Sequence, residues 1–478
     1  MSRHLTDEMI DAQLIAYLHD RAEDGAARAQ TPEHVATAMA HRLRPSHRAP
    51  LGSARVLRSA LLVVVAALLL LALWAWSLAG GRLPSVFPTR VVKIAIELPL
   101  GGSEPSAESV ANGIKLAVED ARGRTGQIRI EVPESAILSD VLDGLPDPDQ
   151  GVGNMRHIVG DAAVVAVIGP FNSYVAQAQI PISNAAGLLQ CSPATTDPQL
   201  TRSADSGIPS AGSPAPGQRN YIRVVTTDDV AAAGAAHFVL ERLGKTSVLV
   251  VDDDQDPGRA MADWFQDEFR RLGGSIVSRS SLPDSAAATS AMLASALAKR
   301  PQAIYFGGTG DRAAMLLNAA VNAGMGGIPF VGSDGLNDGD AARPGSFLSL
   351  VGEGAQHAYS VFPGSVNGPG EAAFEARYRT SYGADPTPFA ALAYACAQVV
   401  VAALQQTEAD HGLSAIGIRD AVRAAGVDTS TTFETILGPI AFDTRGDVTP
   451  KRLTLYAFDS ATSDWVYSDQ IDAAGVGR

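Results

Sequence analysis

Three short stretches of this chain carry residues whose types and order could hold a small charged solute. Ser173 follows an apolar run ending near Gly169 and immediately precedes a helical stretch. A hydroxyl beside the free N–H groups of a helix N-terminus can bind an anion, and the same placement serves as a plain N-cap. In Ser192-Pro193-Ala194-Thr195-Thr196, proline starts a turn that threonine hydroxyls can stabilise. Asp334, in Gly332-Ser333-Asp334-Gly335 after the apolar PFV, is either an acidic turn residue or a carboxylate able to pair with an ammonium group.

Signatures for other chemistry fall short. Gly308-Thr309-Gly310-Asp311-Arg312-Ala313 imitates the dinucleotide G-x-G-x-x-A pattern, with Asp334 at a fitting distance, but any strand-to-helix turn of this class is glycine-rich. Gly244-Lys245-Thr246 hints at a phosphate loop, yet Val239 stands where that motif needs glycine. No G-x-S-x-G, H-E-x-x-H or paired-cysteine motif is present. His34 and His41 share a helix face without a completing ligand. The sequence thus supports neither an enzyme, nor a metal site, nor a cofactor.

The elements that must position these residues alternate. Strands are expected at Val91–Glu97, Ile128–Val132, Val164–Ile168, Ser247–Val251, Ile276–Ser278, Ala303–Phe306 and Pro329–Val331. Helices are expected at Ser109–Ala121, Tyr174–Ala185, Val230–Leu243, Ala260–Leu272, Ser290–Ala298 and Asp311–Ala323, with another over Phe389–Gln405 after Thr387-Pro388. Short β-branched strands between helices imply parallel sheets covered on both faces. The Ser/Pro/Gly-rich segment Ser203–Gln218 separates two such sets as a surface loop. The class is therefore α/β with two lobes, and ligands in such sheets bind at the carboxyl ends of strands.

Composition sets the surroundings. A net charge of −14 argues against nucleic acid, whose phosphates need a basic surface. The two cysteines, Cys191 and Cys396, make no disulfide scaffold; one bridge remains open, and buried free thiols are the favoured reading. The uncharged run Ser59–Ala79 is long enough to cross a bilayer as a helix and lies too far from the first residue for an ordinary signal peptide, although Ser77-Leu78-Ala79-Gly80 imitates a cleavage site and leaves processing as the alternative. Arg42, Arg44, Arg48, Arg55 and Arg58 precede it with no acidic residue among them, which places the N-terminal side in the cytoplasm. The expected organisation is a helical head and basic linker over 1–58, a transmembrane helix over 59–80 and an extracytoplasmic body over 89–478.

Several stretches of that body resemble, in order, the type I periplasmic solute-binding proteins of the leucine/isoleucine/valine- and amide-binding kind. They are VKIAIELPLGG, NGIKLAVEDA, VVAVIGPFNS, LLQCSPATTDPQLT, Tyr221-Ile222-Arg223, VLVVDDDQDPG, IYFGGTGDRAAMLLNAAVNAG, PFVGSDG and LGPIAFDTRGDVT. The resemblance implies two Rossmann-like lobes joined by three crossovers, near Arg223–Thr227, Val361–Gly364 and Asp443–Asp447. Lobe 1 would comprise about 89–223 and 363–443, and lobe 2 about 224–362 and 444–478.

The resemblance further implies that Ser173 holds a ligand carboxylate, that Ala194 and Thr196 offer a backbone group and a hydroxyl, and that Asp334 faces an ammonium. Rings that usually close over the ligand are missing: Asp256-Pro257-Gly258 stands where a Tyr-Gly is frequent, and no aromatic lies near Ser106. Phe171, Tyr174 and Phe306 are the candidates to restore an apolar wall, while Trp264 is expected in the core with Met261 and Leu272. The implied function is a membrane-anchored receptor that delivers an amino acid, amide or small polar solute to ABC permease subunits. The alternative is a sensor that signals through the membrane helix to a cytoplasmic partner of residues 1–45.

Overall fold

The computed structural model describes residues 90–125, 128–202, 219–407 and 414–473. The expected head, membrane helix and Ser203–Gln218 loop lie outside these described residues.

The first half is built on β1 (Arg90–Leu98), α1 (Ala107–Asp120), β2 (Ile128–Glu131) and β3 (Ile137–Ser139). A small hairpin of β4 (Val141–Leu142) and β5 (Leu145–Pro146) follows, then α2 (Pro148–Gly160), β6 (Val164–Ile168), α3 (Ser173–Ala185), β7 (Leu189–Ser192), the single turn α4 (Gln199–Arg202) and β8 (Tyr221–Arg223). The sheet runs β2-β1-β6-β7-β8 with every pair parallel, and β3 extends β1 beyond β2. All five residues of β6, VVAVI, are buried, because helices cover both faces of a parallel sheet and leave β-branched side chains no wet side.

The second sheet follows from α5 (Asp228–His237), β9 (Ser247–Asp252), α6 (Asp256–Arg271), β10 (Ser275–Ser281), α7 (Ala286–Leu297), β11 (Ala303–Gly307), α8 (Gly310–Ala320), β12 (Phe330–Ser333), α9 (Phe347–Val351) and β13 (Ala358–Phe362). The chain then returns with α10 (Glu371–Tyr382), α11 (Pro388–Thr407), α12 (Ala415–Gly426) and an antiparallel ribbon of β14 (Phe433–Thr435), β15 (Gly438–Phe442) and β16 (Val448–Thr449). It ends in the hairpin β17 (Arg452–Asp459) and β18 (Asp464–Asp472). The second sheet has the order β10-β9-β11-β12-β13-β17-β18. Its last two strands run antiparallel, β17 to β13 and β18 to β17, a correction to the all-parallel expectation; for β17 and β18 the short 460–463 turn allows nothing else. The chain passes between the sheets after β8, after β13 and between β16 and β17, the third a few residues later than the resemblance suggested.

Within the described residues, every strand and helix expected in the body is present with ends moved by a few residues. Helix α2 escaped the periodicity reading because Gly151 and Gly153 weaken the pattern. Gly151 is required by packing, as a Cβ there would stand 2.5 Å from Val175 Cγ1. Helix α11 is, among the described residues, the one helix long and apolar enough to span a membrane. It is a core helix, buried on nearly all sides by α1, α12 and the first sheet. That packing also corrects the free-thiol reading: α11 crosses β7, brings the Cα atoms of Cys191 and Cys396 to 5.9 Å, and a disulfide joins them. Trp264 is partly buried against the core of the second sheet.

Candidate functional site

The chemistry-bearing loops follow the carboxyl ends of the parallel strands, as the topology of open α/β sheets requires. After β6 the chain turns sharply at Gly169, whose φ is +130°. A Cβ there would lie 1.9 Å from the Glu97 carbonyl oxygen, so only glycine lets the two backbones meet. Asn172, rather than Ser173, is the N-cap of α3, and its side chain makes no capping bond. The first-turn N–H groups therefore have no side-chain cap from Asn172 and remain suited to an anion. Ser173 is the first helical residue, and its Oγ accepts a hydrogen bond from Asp197 N at 3.2 Å.

The loop after β7 is tied to the same place. Ser192 Oγ is buried, donates to Pro170 O (2.9 Å) and accepts the N–H groups of Ala194 (3.3 Å) and Thr195 (3.0 Å). The Thr195 hydroxyl is spent on the Tyr221 hydroxyl. Thr196 O accepts from Asp228 N at 3.0 Å, which keeps the Thr196 side chain near the Asp228 carboxyl. Arg223, fully buried in β8, holds this loop from below. It donates to Thr195 O (3.2 Å), Asp197 O (2.7 Å) and Thr201 Oγ1 (2.7 Å), and pairs with Asp447 Oδ1 (2.7 Å). Two crossings between the sheets thus share one ion pair.

Asp228 opens α5, is 9% exposed, and its Oδ1 has no partner. Burial, and then repulsion from Asp334, push its carboxyl up to about 7. Asp334 follows β12 at the start of a 3-10 turn. It is partly buried as a residue, but its carboxyl group is enclosed; burial, and then repulsion from Glu104, push it up to about 6 against the N–H groups of Asp334 and Gly335. The neighbouring Asp229 is neutralised by Arg202 at 2.6 Å. These loops carry an uncapped helix N-terminus, nearby hydroxyls and two desolvated carboxyls. They can complement a ligand carrying both a carboxylate and an ammonium.

The hydrogen bonds above gather Ser173, Ala194 and Thr196 in one set of loops, and the charge of Asp334 acts on Asp228 beside them. Phe171 lies close by, partly buried, its ring edge-on to Phe389 at 5.0 Å. Tyr174 points elsewhere: it is 48% exposed and its hydroxyl donates to Pro146 O at 3.3 Å. Phe306 is a core residue, fully buried beside Phe330 at 6.3 Å, and cannot serve as the apolar wall. Both faces of β11 are covered, so Tyr305 is buried too, stacked on Phe265 at 3.8 Å.

The glycine-rich loop at 308–310 is closed by protein. Asp253 Oδ2 accepts the Thr309 N–H at 3.2 Å, and a Cβ on Gly308 would meet the Asp253 carboxyl at 2.6 Å. A carboxylate thus occupies the place a dinucleotide phosphate would need. Asp228 and Arg223 were missed as site residues. Asp228-Asp229 after Thr227 reads as an ordinary acidic first turn, and one arginine in a buried strand has no local signal.

The family model described as periplasmic binding protein matches residues 91–462. The Leu/Ile/Val-binding protein homolog 2 of Brucella abortus (strain 2308) is 24% identical over 359 residues, covering 74% of this chain and 87% of that protein. The Leu/Ile/Val-binding protein BraC3 of Rhizobium johnstonii is 24% identical over 383 residues, covering 77% and 92%. Among solved structures, an ABC transporter substrate-binding protein of Desulfitobacterium hafniense in complex with Leu matches with a TM-score of 0.63 at 20% identity, over 79% of this chain and all of that one. The leucine binding protein LivK of Thermotoga maritima matches at 0.62 and 22%, over 80% and 99%. With its two linked sheets and loops converging at their strand ends, the chain belongs to the periplasmic binding protein family, type I, alongside the Leu/Ile/Val-binding proteins.

Proposed function

We propose that this protein is an extracytoplasmic receptor that binds a small amino acid or amide between two lobes and presents it to an ABC permease. The lobes would comprise about 89–223 with 363–443, and about 224–362 with 444–478, and the Ser59–Ala79 run would anchor the receptor in the membrane. The observation that carries the reading is the buried Asp228 carboxyl beside Thr196, with an unpartnered oxygen and Asp334 acting on it, together with the uncapped start of α3. A carboxylate would sit at Ser173, Thr196 and the first-turn N–H groups, and an ammonium between Asp228 and Asp334. Relatives named for Leu, Ile and Val, and the neighbour solved with Leu, support an amino acid. A neighbour from Rhodopseudomonas palustris, solved with 3,4-dihydroxy benzoic acid, shows why the ligand must be tested. Lobe closure on the ligand would give the permease a loaded shape to recognise.

The test is a thermal-shift screen of the full-length chain against L-amino acids, amides and small aromatic acids. A binder at a hundredfold excess over Kd stabilises by ~2.7 kcal/mol, and Asp334→Asn abolishes that shift. A large shift for another ligand class, with none for any amino acid or amide, overturns the assignment.

A further inference from the structure

Two buried carboxyls among the described residues lie beside Gly169 with few hydrogen-bond partners. Glu97, near the end of β1, and Asp140, between β3 and β4, are both 0% exposed. Asn154 Nδ2 of α2 reaches Glu97 Oε1 at 3.4 Å but donates more closely to Ser139 O, at 2.8 Å. Glu97 Oε2 and both Asp140 oxygens have no hydrogen-bond partner. The groups acting on the pair are all acidic or neutral. Asp147 caps α2, and α3 contributes the phenol of Tyr174, which feels Asp140 and Asp147. Gln179 on α3 and Asn154 on α2 complete the ring, while Arg156 and His157 of α2 are exposed. No cation among the described residues offsets Glu97 or Asp140. Burial, then Asp140, holds the Glu97 carboxyl well above its ordinary range; burial, then Asp147, pushes Asp140 up to about 6. Two carboxyls in such a place cannot both ionise without large cost.

This pair is linked to the ligand segment. The Glu97 backbone abuts Gly169, where no Cβ would fit. Gln179, which lies near the Glu97 carboxyl, donates its Nε2 to Gly151 O (2.9 Å), and Gln190 Nε2 donates both to Gln179 Oε1 (3.3 Å) and to Gly169 O (3.4 Å). Ser183 Oγ donates to Gln190 Oε1 (2.6 Å), and Asn220 Nδ2 donates to Ser183 Oγ (2.8 Å). Neutral amides and hydroxyls form the whole chain, so its alignment depends on the charge state of the acid at its end.

We propose that Glu97 and Asp140 are positioning residues that hold one proton between them at neutral pH, and that this proton keeps the Gly169–Ser173 segment in its binding geometry. The importance of that segment rests on the receptor reading above. Raising the pH removes the proton and puts a second negative charge beside Gly169. A carboxyl whose folded titration is raised contributes stability that is lost as pH rises through the folded value. The segment therefore loosens on the alkaline side.

The test uses the full-length protein without ligand. Hydrogen exchange of the peptide covering Gly169–Ser173, corrected for the intrinsic rate, is followed from about pH 6 to about pH 9; loss of one proton weakens protection by up to about tenfold per pH unit. Wild type should show that loss in full, and Glu97→Gln should keep only the smaller pH dependence left by Asp140 and Asp228. Equal pH dependence in both overturns the proposal. If Glu97→Gln does not fold, Asp140→Asn takes its place. Infrared spectroscopy of wild type serves without any variant: a protonated-carboxyl band present at neutral pH must vanish on alkalinisation, and its absence at neutral pH overturns the proposal. So does stabilisation by added Ca2+ that Glu97→Gln removes, since a cation would then stand in the proton's place. No ligand enters these measurements, so their failure leaves the receptor reading standing, and failure to find a ligand leaves them unaffected.

Discussion

Asp228→Asn should make the ligand-free protein more stable at alkaline pH while removing its ability to respond to ligand. The Asp228 carboxyl is buried, has an unpartnered oxygen, and is pushed from 3.8 to about 7 by burial and by Asp334. At ~1.4 kcal/mol per pH unit, keeping it ionised in the fold costs about 4 kcal/mol above pH 7. The sign follows from the raised value: stability from this group is complete below 3.8 and falls as pH rises to about 7. Between about pH 5 and about pH 8, wild type should lose up to about 3 kcal/mol through Asp228. Part of that belongs to the Asp334 repulsion, so on the order of 2 kcal/mol is expected from the single substitution. Urea unfolding of wild type and Asp228→Asn at both pH values isolates it, because the Glu97–Asp140 contribution is common to both proteins. The ligand identified by screening should then shift wild type and leave Asp228→Asn unmoved. Identical pH profiles for the two proteins would show that the carboxylate is compensated in the fold, and the ammonium-site argument would fail with it.

Arg223→Met leaves Asp447 buried without its partner and should cost about 3–5 kcal/mol in urea unfolding, much of it recovered in Arg223→Met/Asp447→Leu. Cys396→Ala opens the disulfide that spans 205 residues and should lower the unfolding free energy by roughly 2–5 kcal/mol, with reductant mimicking the effect on wild type. Gly169→Ala forces a methyl against the Glu97 carbonyl at a positive φ, so a loss of about 2 kcal/mol or more is expected, with weakened ligand binding. Deleting residues 1–45 should leave solute uptake unchanged in a transport assay if the protein serves an importer; loss of a signalling output with intact uptake would favour the sensor.

The division of labour between α/β periodicity and three-dimensional packing is visible residue by residue. The run VVAVI and the amphipathic helices around it announce a doubly covered parallel sheet, because a strand with two dry faces has no other composition open to it. Ser173, Thr196 and Asp334 could be picked out because loop ends after strands are where such sheets bind ligands. The antiparallel pairing of β17 and β18 was not legible, since the half-exposed edge strand β18 has a weak hydrophobic pattern.

The sequence by itself therefore determined the class of fold and the loops that meet at the strand ends, since both follow from local periodicity and strand-to-helix order. Tertiary structure alone decided which polar groups are stranded. Asp228, Glu97 and Asp140 look in sequence like any other acids, and Cys191 and Cys396 like any thiols 205 residues apart. Desolvation and pairing depend on what the rest of the chain brings within a few ångströms, and no neighbour in sequence carries that information. The same packing took Phe306 out of the site and into the core, because both faces of its strand are covered.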